Sequence, residues 1–170
     1  SSLVGEIGLD KAKRAIGFTK QLDIFRTQLG IALEMKRPFA VHCVQAWEGL
    51  LAELDRCIAG RLPFIVHWFS GSAEVAMELV ERGAYISFSP RLLDEGAEKH
   101  RASFGRVPAE RILLETDYPY MPGVEKGRMP KAAEYLAALR QLYAGAARLK
   151  GLGEEEFARK VWDNGTVFVH

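Results

Sequence analysis

Five short apolar runs alternate along the chain with longer segments of helical periodicity. The runs span residues 4–9, 39–42, 64–67, 85–89 and 112–114, and each is bounded by glycine, proline or a polar residue. Short apolar runs with such boundaries predict buried β-strands, and strands that alternate with helices are typical of a parallel sheet. This alternation constrains the chain to an α/β fold built of βα units.

The segments between the runs place apolar residues on one helical face. The first predicted helix buries Leu22, Phe25 and Leu29. The other four predicted helices are residues 47–58, ended by Gly60, a helix from the cap Ser72 to Gly83, residues 131–149, and residues 154–162.

Five βα units leave two architectures open, an open doubly wound sheet and part of a (β/α)₈ barrel. A whole barrel needs about 250 residues, and a βα unit takes roughly 30. The 170 residues hold five units and a tail, so the barrel interpretation implies that about three units are missing. Residues 4–9 would then form an unpaired edge strand with exposed apolar surface.

Charge and cysteine content exclude several classes of function. Lys and Arg number 23 against 22 Asp and Glu, a net charge of +1, so no global field attracts nucleic acid or anionic membrane. The two cysteines, Cys43 and Cys57, predict reduced thiols of a cytoplasmic protein rather than a disulfide framework. Neither a membrane span nor a signal peptide is evident, so no membrane partner is expected.

Four residues of metal-ligand type lie within or just after the apolar runs: Glu6, His42, His67 and Asp117. The carboxyl ends of parallel strands meet at one edge, where α/β proteins bind ligands. An unpaired carboxylate in a buried strand, as predicted for Glu6, would be costly. Each residue alone has a structural explanation, but the four together predict a site for one or two divalent ions. The candidates Zn, Mn, Mg, Fe and Ni are not distinguished.

The remaining polar and aromatic candidates are weaker. Ser70 and Gly71, with Ser72, could present backbone N–H groups to a substrate phosphate, although a plain helix cap explains them equally well. For Trp68 and Phe69, packing is favoured over lining a pocket.

Three other residues receive no role in the chemistry. His100 falls in a charged stretch that predicts a solvated helix face, and His170 ends the chain. Cys43 follows His42 and should point to the opposite side of its strand as an inert thiol.

Four sequence motifs, taken together, resemble the TatD family of metal-dependent hydrolases and deoxyribonucleases, which have amidohydrolase-like TIM barrels. They are GEIGLD at residues 5–10, PFAVHC at 38–43, HWFSG at 67–71 and LLETDYPY at 113–120. Asn164 and Phe168 resemble the family's closing segment. The resemblance covers essentially all 170 residues.

The resemblance implies two neighbouring metal ions. Glu6 would bridge them, His42 and His67 would complete one site, and Asp117 would join a His-x-His pair in the other. No two histidines of this sequence are separated by one residue. Residues 1–170 are therefore expected to form a single TatD-like domain that is incomplete at its N-terminus.

For function, the resemblance implies hydrolysis of phosphodiester bonds, with DNA strand ends as the expected partner. Asp117 would orient or deprotonate the attacking water, and Glu6 would hold the ions. One alternative is a related ester or amide hydrolase, such as an aminoacyl-tRNA deacylase, because the same ligands polarise a carbonyl. Another is an inactive fragment that needs its missing N-terminal segment or pairs with a second copy.

Overall fold

The computed structural model describes residues 3–13, 15–57, 62–117 and 128–169. These ranges contain five β-strands and six α-helices in alternation, with two short 3-10 turns. The elements are β1 (Val4–Asp10), α1 (Phe18–Glu34), β2 (Phe39–Val44), α2 (Trp47–Cys57), β3 (Phe64–Val66), α3 (Ala73–Glu81), β4 (Ala84–Phe88), α4 (Glu98–Arg106), β5 (Ile112–Leu114), α5 (Ala132–Lys150) and α6 (Glu154–Thr166).

The predicted strands and helices are confirmed at their positions, with boundaries shifted by a few residues. His67 follows β3 rather than ending it, and α6 continues past residue 162 to Thr166. Ile58, Gly60, His170 and the motif residues 118–120 lie outside the described residues. No helix in the described ranges is long and apolar enough to cross a membrane.

The sheet settles which α/β architecture the chain adopts. All four strand pairs are parallel, and the spatial order is β1-β2-β3-β4-β5. A doubly wound sheet reverses its strand order at a switch point, whereas a barrel adds each new strand beside the last one. The chain-order pairing therefore confirms the barrel type of βα fold and excludes the doubly wound alternative.

The two faces of the sheet differ in burial. On β2, Phe39 and Val41 are fully buried under the helices, whereas Ala40 and His42 are only half-buried. Phe39 pairs with Phe64 in the register of β2 and β3, and their rings stack with centroids 5.1 Å apart. The face under the helices thus forms the apolar core, and the opposite face is less buried on β1 and β2 and carries Glu6 and His42.

Strand β1 corrects two expectations about burial. Ile7 and Leu9 are 3% and 0% exposed, so the predicted exposure of apolar surface on this edge strand is wrong. Glu6 is 44% exposed, so its predicted burial is also wrong. Alternation along the strand explains both, because Ile7 and Leu9 face the helix layer while Glu6 faces the opposite side.

Polar side chains form hydrogen bonds that hold the helices around this sheet. Ser72 caps α3 by accepting a hydrogen bond from the Val75 amide at 3.3 Å, as predicted. Asn164, on α6, donates at 2.8 Å to the carbonyls of Ala109 and Ile112 and so ties the last helix to β5.

His100, on α4, is half-buried rather than fully solvated, and this burial lowers its pKa.

Gly8 permits the close approach of β1 to β2. It pairs with His42 in the register, and a Cβ at this position would overlap the His42 carbonyl. We expect Gly8→Ala to reduce the free energy of unfolding by about 1–3 kcal/mol, the usual cost of overpacking. Gly30→Ala is the matched control. It lies at an exposed site in α1 with open space around the added Cβ, so it should stabilise by about 0.5–1 kcal/mol. Equal stability of both variants in urea unfolding would contradict this account of Gly8.

Glu53, on α2, forms a largely buried ion pair with Arg26 of α1. Its side chain is 6% exposed, and its two oxygens accept hydrogen bonds from Arg26 at 2.7 Å. These bonds lower the pKa of Glu53. The resulting stabilisation is present above the ordinary glutamate pKa and is lost as pH falls through the lowered value.

We therefore expect Glu53→Gln to lower the free energy of unfolding by about 1–3 kcal/mol at pH 7. The gap to wild type should narrow below about pH 4. Urea unfolding at the two pH values tests this. Glu110→Gln is the control, because Glu110 pairs with Lys160 at the surface, where 66% of its side chain is exposed. A gap that widens in acid would refute the expected coupling.

Candidate metal centre

The structure brings the four predicted ligands together at the carboxyl ends of the strands. Glu6 Oε1 lies 3.4 Å from His42 Nδ1 and 3.6 Å from His67 Nε2. Asp117 Oδ1 lies 3.7 Å from the same His67 nitrogen. All four side chains line one cavity of about 380 Å³. The geometric expectation that they converge thus agrees with the structure, while their role as ligands remains a prediction.

Each of these residues reaches the cavity from a different strand. Glu6 and His42 project from the half-open face of β1 and β2, where Gly8 pairs with His42. His67 directly follows β3, and Asp117 lies in the loop after β5. Because parallel strands end on the same edge, residues far apart in sequence become neighbours here.

Glu115 is a site residue that the sequence analysis missed. Its Oε2 lies 2.5 Å from His67 Nδ1, and its Oε1 accepts a hydrogen bond from the Trp68 amide at 2.5 Å. The hydrogen bond to Glu115 is the main reason why the pKa of His67 is raised, with burial acting in the opposite direction. With Nδ1 donating to Glu115, the other nitrogen of His67 faces Glu6 and Asp117 and can act as a ligand.

Asp10 is the second residue missed, and it plays the same part for the other histidine. Its Oδ2 lies 3.3 Å from His42 Nε2, while its Oδ1 accepts from the amides of Ala12 and Lys13. Burial raises the pKa of Asp10, but the hydrogen bonds from Lys13, His42 and Ala12 together lower it below its ordinary value. His42 Nδ1 is then left facing Glu6.

Both missed carboxylates carry a signal in the sequence. Glu6 and Asp10 are four residues apart in GEIGLD, and Glu115 and Asp117 are two apart in LLETD. Residues an even number apart in a strand point to the same face. Asp10 is therefore expected on the same face as Glu6, whereas Glu115 lies after β5, and its signal is only its closeness to Asp117 in the sequence.

Three residues next to the cavity have left-handed backbone conformations. Gln45, Trp68 and Asp117 have φ values of 53°, 46° and 53° and follow β2, β3 and β5, respectively. Such conformations cost about 1 kcal/mol or more outside glycine and cluster at functional sites. Here they turn the chain sharply where the strands end.

The residues after β3 divide between the cavity and the core. Trp68 and Ser70 line the cavity, so the expectation that Trp68 packs inside is wrong. Phe69 does pack, with its ring 5.0 Å from that of Trp47. Gly71 is buried, and a Cβ there would collide with the Phe69 ring. A substrate contact by Ser70 or Gly71 therefore stays a prediction, and the structure places only Ser70 on the cavity wall.

Cys43 has a buried and unreactive thiol, as the sequence predicts. The thiol belongs to a residue that is 3% exposed, and burial raises its pKa to about 12. A thiol with so high a pKa is not a nucleophile at neutral pH.

The four donors suit a divalent ion in their chemistry and in their pairwise spacing. Two ligands about 2.1 Å from a tetrahedral metal lie about 3.4 Å apart, and the Glu6, His42, His67 and Asp117 contacts are 3.4–3.7 Å. Within the described ranges, however, no three or more His, Cys, Asp or Glu side chains are arranged so that together they could hold a metal ion. The geometry is thus that of converging donors rather than of a preformed cage.

Comparisons with known proteins identify the family to which this chain is related. The family model described as TatD related DNase matches residues 1–169. The uncharacterized metal-dependent hydrolase YabD of Bacillus subtilis is 32% identical over 168 residues, which cover 95% of this chain and 62% of the relative. The 3'-5' ssDNA/RNA exonuclease TatD of Salmonella typhimurium is 37% identical over 120 residues, covering 69% of this chain and 46% of the relative.

A solved structure shows the same fold. The crystal structure of YJJV, a TatD homolog from Escherichia coli, superposes with a TM-score of 0.85 at 29% identity, covering 98% of this chain and 62% of that one. The chain thus spans less than two thirds of the length of these relatives. Because the family model matches nearly every residue and the site motifs converge in space, the chain belongs to the TatD family.

Proposed function

We propose that this protein is a metal-dependent hydrolase that cleaves phosphodiester bonds of DNA from a strand end. One observation carries the proposal: two imidazoles, each backed by its own carboxylate, face the same oxygen of Glu6. Backed histidines beside a shared carboxylate are typical of metal sites that hydrolyse esters. The name of the Salmonella relative, an exonuclease, supports the phosphodiester substrate.

Glu6, His42, His67 and Asp117 are the residues that would hold the metal. When bound, divalent ions stabilise negative charge on phosphoryl oxygens and make water a better nucleophile at neutral pH. The resemblance to the family implies a second ion with a His-x-His pair, which this sequence does not contain. The proposed assignment to this chain is therefore the site of Glu6, His42 and His67, with Asp117 beside it.

The protein's own groups divide the remaining tasks. Glu115 and Asp10 fix the orientation of His67 and His42, and Asp117 is the group proposed to orient or deprotonate the attacking water. The net charge of +1 provides no broad basic face for a duplex, so recognition of a strand end is favoured over that of a long double helix. The proposed location is the cytoplasm, where the free thiols of Cys43 and Cys57 stay reduced.

Hydrolysis assays test the proposed reaction. The chain is incubated with Mg²⁺ or Mn²⁺ and a 5'-labelled single-stranded oligonucleotide, and in parallel with an aminoacyl-tRNA ester. We expect slow shortening of the oligonucleotide from one end, because one of the two implied metal sites lacks its His-x-His pair in this sequence. Hydrolysis of neither substrate would contradict the proposal and favour the inactive fragment. Release of the amino acid while the oligonucleotide stays intact would contradict the proposal and identify the protein as an acyl-ester hydrolase.

His67 provides the first test of the metal assignment. We expect His67→Ala to lower metal affinity by at least about tenfold, because a direct ligand is lost, while the apolar core keeps the fold. Titration calorimetry with Mn²⁺ or Zn²⁺ measures the affinity, and circular dichroism checks the fold. His100→Ala is the matched control, since His100 lies on α4 and does not line the cavity. Unchanged metal binding in folded His67→Ala would remove His67 from the ligand set.

Glu115 provides a second, independent test. Glu115→Gln keeps a side chain of the same shape but removes the charge that holds His67 Nδ1–H. We expect metal affinity to fall about 10- to 100-fold, the usual effect of losing such an outer partner. Glu110→Gln is the matched control, because Glu110 lies two residues before β5, pairs with Lys160 at the surface and does not line the cavity. If Glu115→Gln binds metal like the wild type, the carboxylate has no positioning role.

A further inference from the structure

The cavity contains one cationic side chain that the metal site does not use. Among the described residues that line it, Lys13 is the only lysine or arginine. Its side chain is exposed and forms no ion pair with another described residue. The nearest basic neighbour in sequence within the described ranges, Lys11, instead packs over the Phe18 ring at 4.6 Å. Lys13 is thus free to meet a ligand that enters the cavity.

The loop that carries Lys13 is fixed to the site by hydrogen bonds. Asp10 Oδ1 accepts from the amides of Ala12 and Lys13 at 2.8 and 3.1 Å. From α1, Gln21 accepts from the Asp10 amide and donates to the carbonyls of Asp10 and Ile16. The carboxylate that contacts His42 therefore also holds the backbone of Lys13, so this backbone has a defined position relative to the metal donors.

The cavity is surrounded mainly by carboxylates, so a cation at the position of Lys13 would attract a phosphate that the carboxylates repel. Glu6 and Asp117 line the cavity, with Asp10 and Glu115 behind the histidines. Val44, which pairs with Asp10 and lies on the same wall, adds no charge. Metal ions would neutralise the phosphate at the reacting centre, but a neighbouring phosphate of the same strand would meet mostly carboxylates. A lysine on a flexible stem provides a point charge suited to such a solvent-exposed phosphate.

We propose that the Lys13 ammonium binds a phosphate adjacent to the scissile one, which makes the site selective for nucleic-acid strands over substrates with a single phosphodiester. This inference rests on the proposed function, because it assigns a substrate contact to the same cavity. It makes Lys13 a specificity-determining residue rather than a catalytic one.

The test compares two probes on the 170-residue chain. The first is a fluorescent octathymidylate with phosphorothioate linkages, which resist hydrolysis, and its binding is measured by anisotropy in Mg²⁺ at several NaCl concentrations. The second is bis(p-nitrophenyl) phosphate, which has one phosphodiester and no flanking phosphate, and its hydrolysis is followed by absorbance. We expect Lys13→Met to weaken octathymidylate binding about three- to tenfold at low salt. The slope of log affinity against log salt should fall by about 0.7, the value for one lost phosphate contact on a single strand.

Hydrolysis of bis(p-nitrophenyl) phosphate should fall less in Lys13→Met than octathymidylate binding does, because this substrate has no flanking phosphate, and Lys13→Arg should retain binding. Lys20→Met is the matched control, since Lys20 is equally exposed but lies on α1 outside the cavity. Equal weakening by Lys13→Met and Lys20→Met, or no weakening by either, would overturn the inference. So would a loss of bis(p-nitrophenyl) phosphate hydrolysis as large as the loss of oligonucleotide binding.

The same experiment separates this inference from the proposed function. If the wild type hydrolyses neither probe nor unmodified DNA, but binds octathymidylate in a Lys13-dependent way, the hydrolase assignment fails and the phosphate contact stands. If the wild type hydrolyses DNA and Lys13→Met binds octathymidylate like the wild type, the phosphate contact fails and the hydrolase assignment stands.

Discussion

Parallel pairing of the five strands in chain order is the constraint on which the rest of the structure depends. It places the carboxyl end of every strand on one edge, so Glu6, His42, His67 and Asp117 meet without any local sequence signal linking them. It also gives the sheet two unlike faces, with buried apolar residues under the helices and a half-open face opposite. The site is built on that second face, where a charged side chain keeps contact with water.

The site also depends on a contact between side chains of strands that are not direct neighbours. His67 follows β3 and Glu115 follows β5, yet their side chains lie 2.5 Å apart although β4 runs between these strands. In a flat sheet, strands two positions apart are separated by about 9.6 Å. Two long side chains can span that distance only by leaning toward each other over the end of β4, and the concave inner face of a barrel brings them closer together. Ser87, on β4, and Ser89, just after it, are buried, and their small side chains occupy little space between β3 and β5.

Sequence patterns predicted the order and type of the elements well because apolar periodicity reports burial directly. They were wrong about Glu6, since an apolar run does not reveal that only one face of β1 is covered. They missed Asp10 and Glu115 because ion pairs between strands depend on register and curvature, which no single segment encodes. The spacing of two or four residues from Glu6 and Asp117 was the available clue. Trp68 was misassigned because its left-handed backbone, which aims it at the cavity, has no sequence signature.

Side chains alternate between the two faces of each strand. This alternation also places the residues that stabilise the fold and the residues that form the site on opposite faces. On β2 and β3, four side chains point into the helix layer and are fully buried: Phe39, Val41, Phe64 and Val66. The burial of apolar surface that stabilises these two strands is therefore concentrated on this face. His42 and His67 point the other way, and their partners are carboxylates rather than core side chains. Substitutions at the site therefore change charge and orientation on a face that contributes little to burial. Gly8 is the exception, because it affects both the fold and the site. The close backbone approach that pairs β1 with β2 at Gly8 also sets the position of His42.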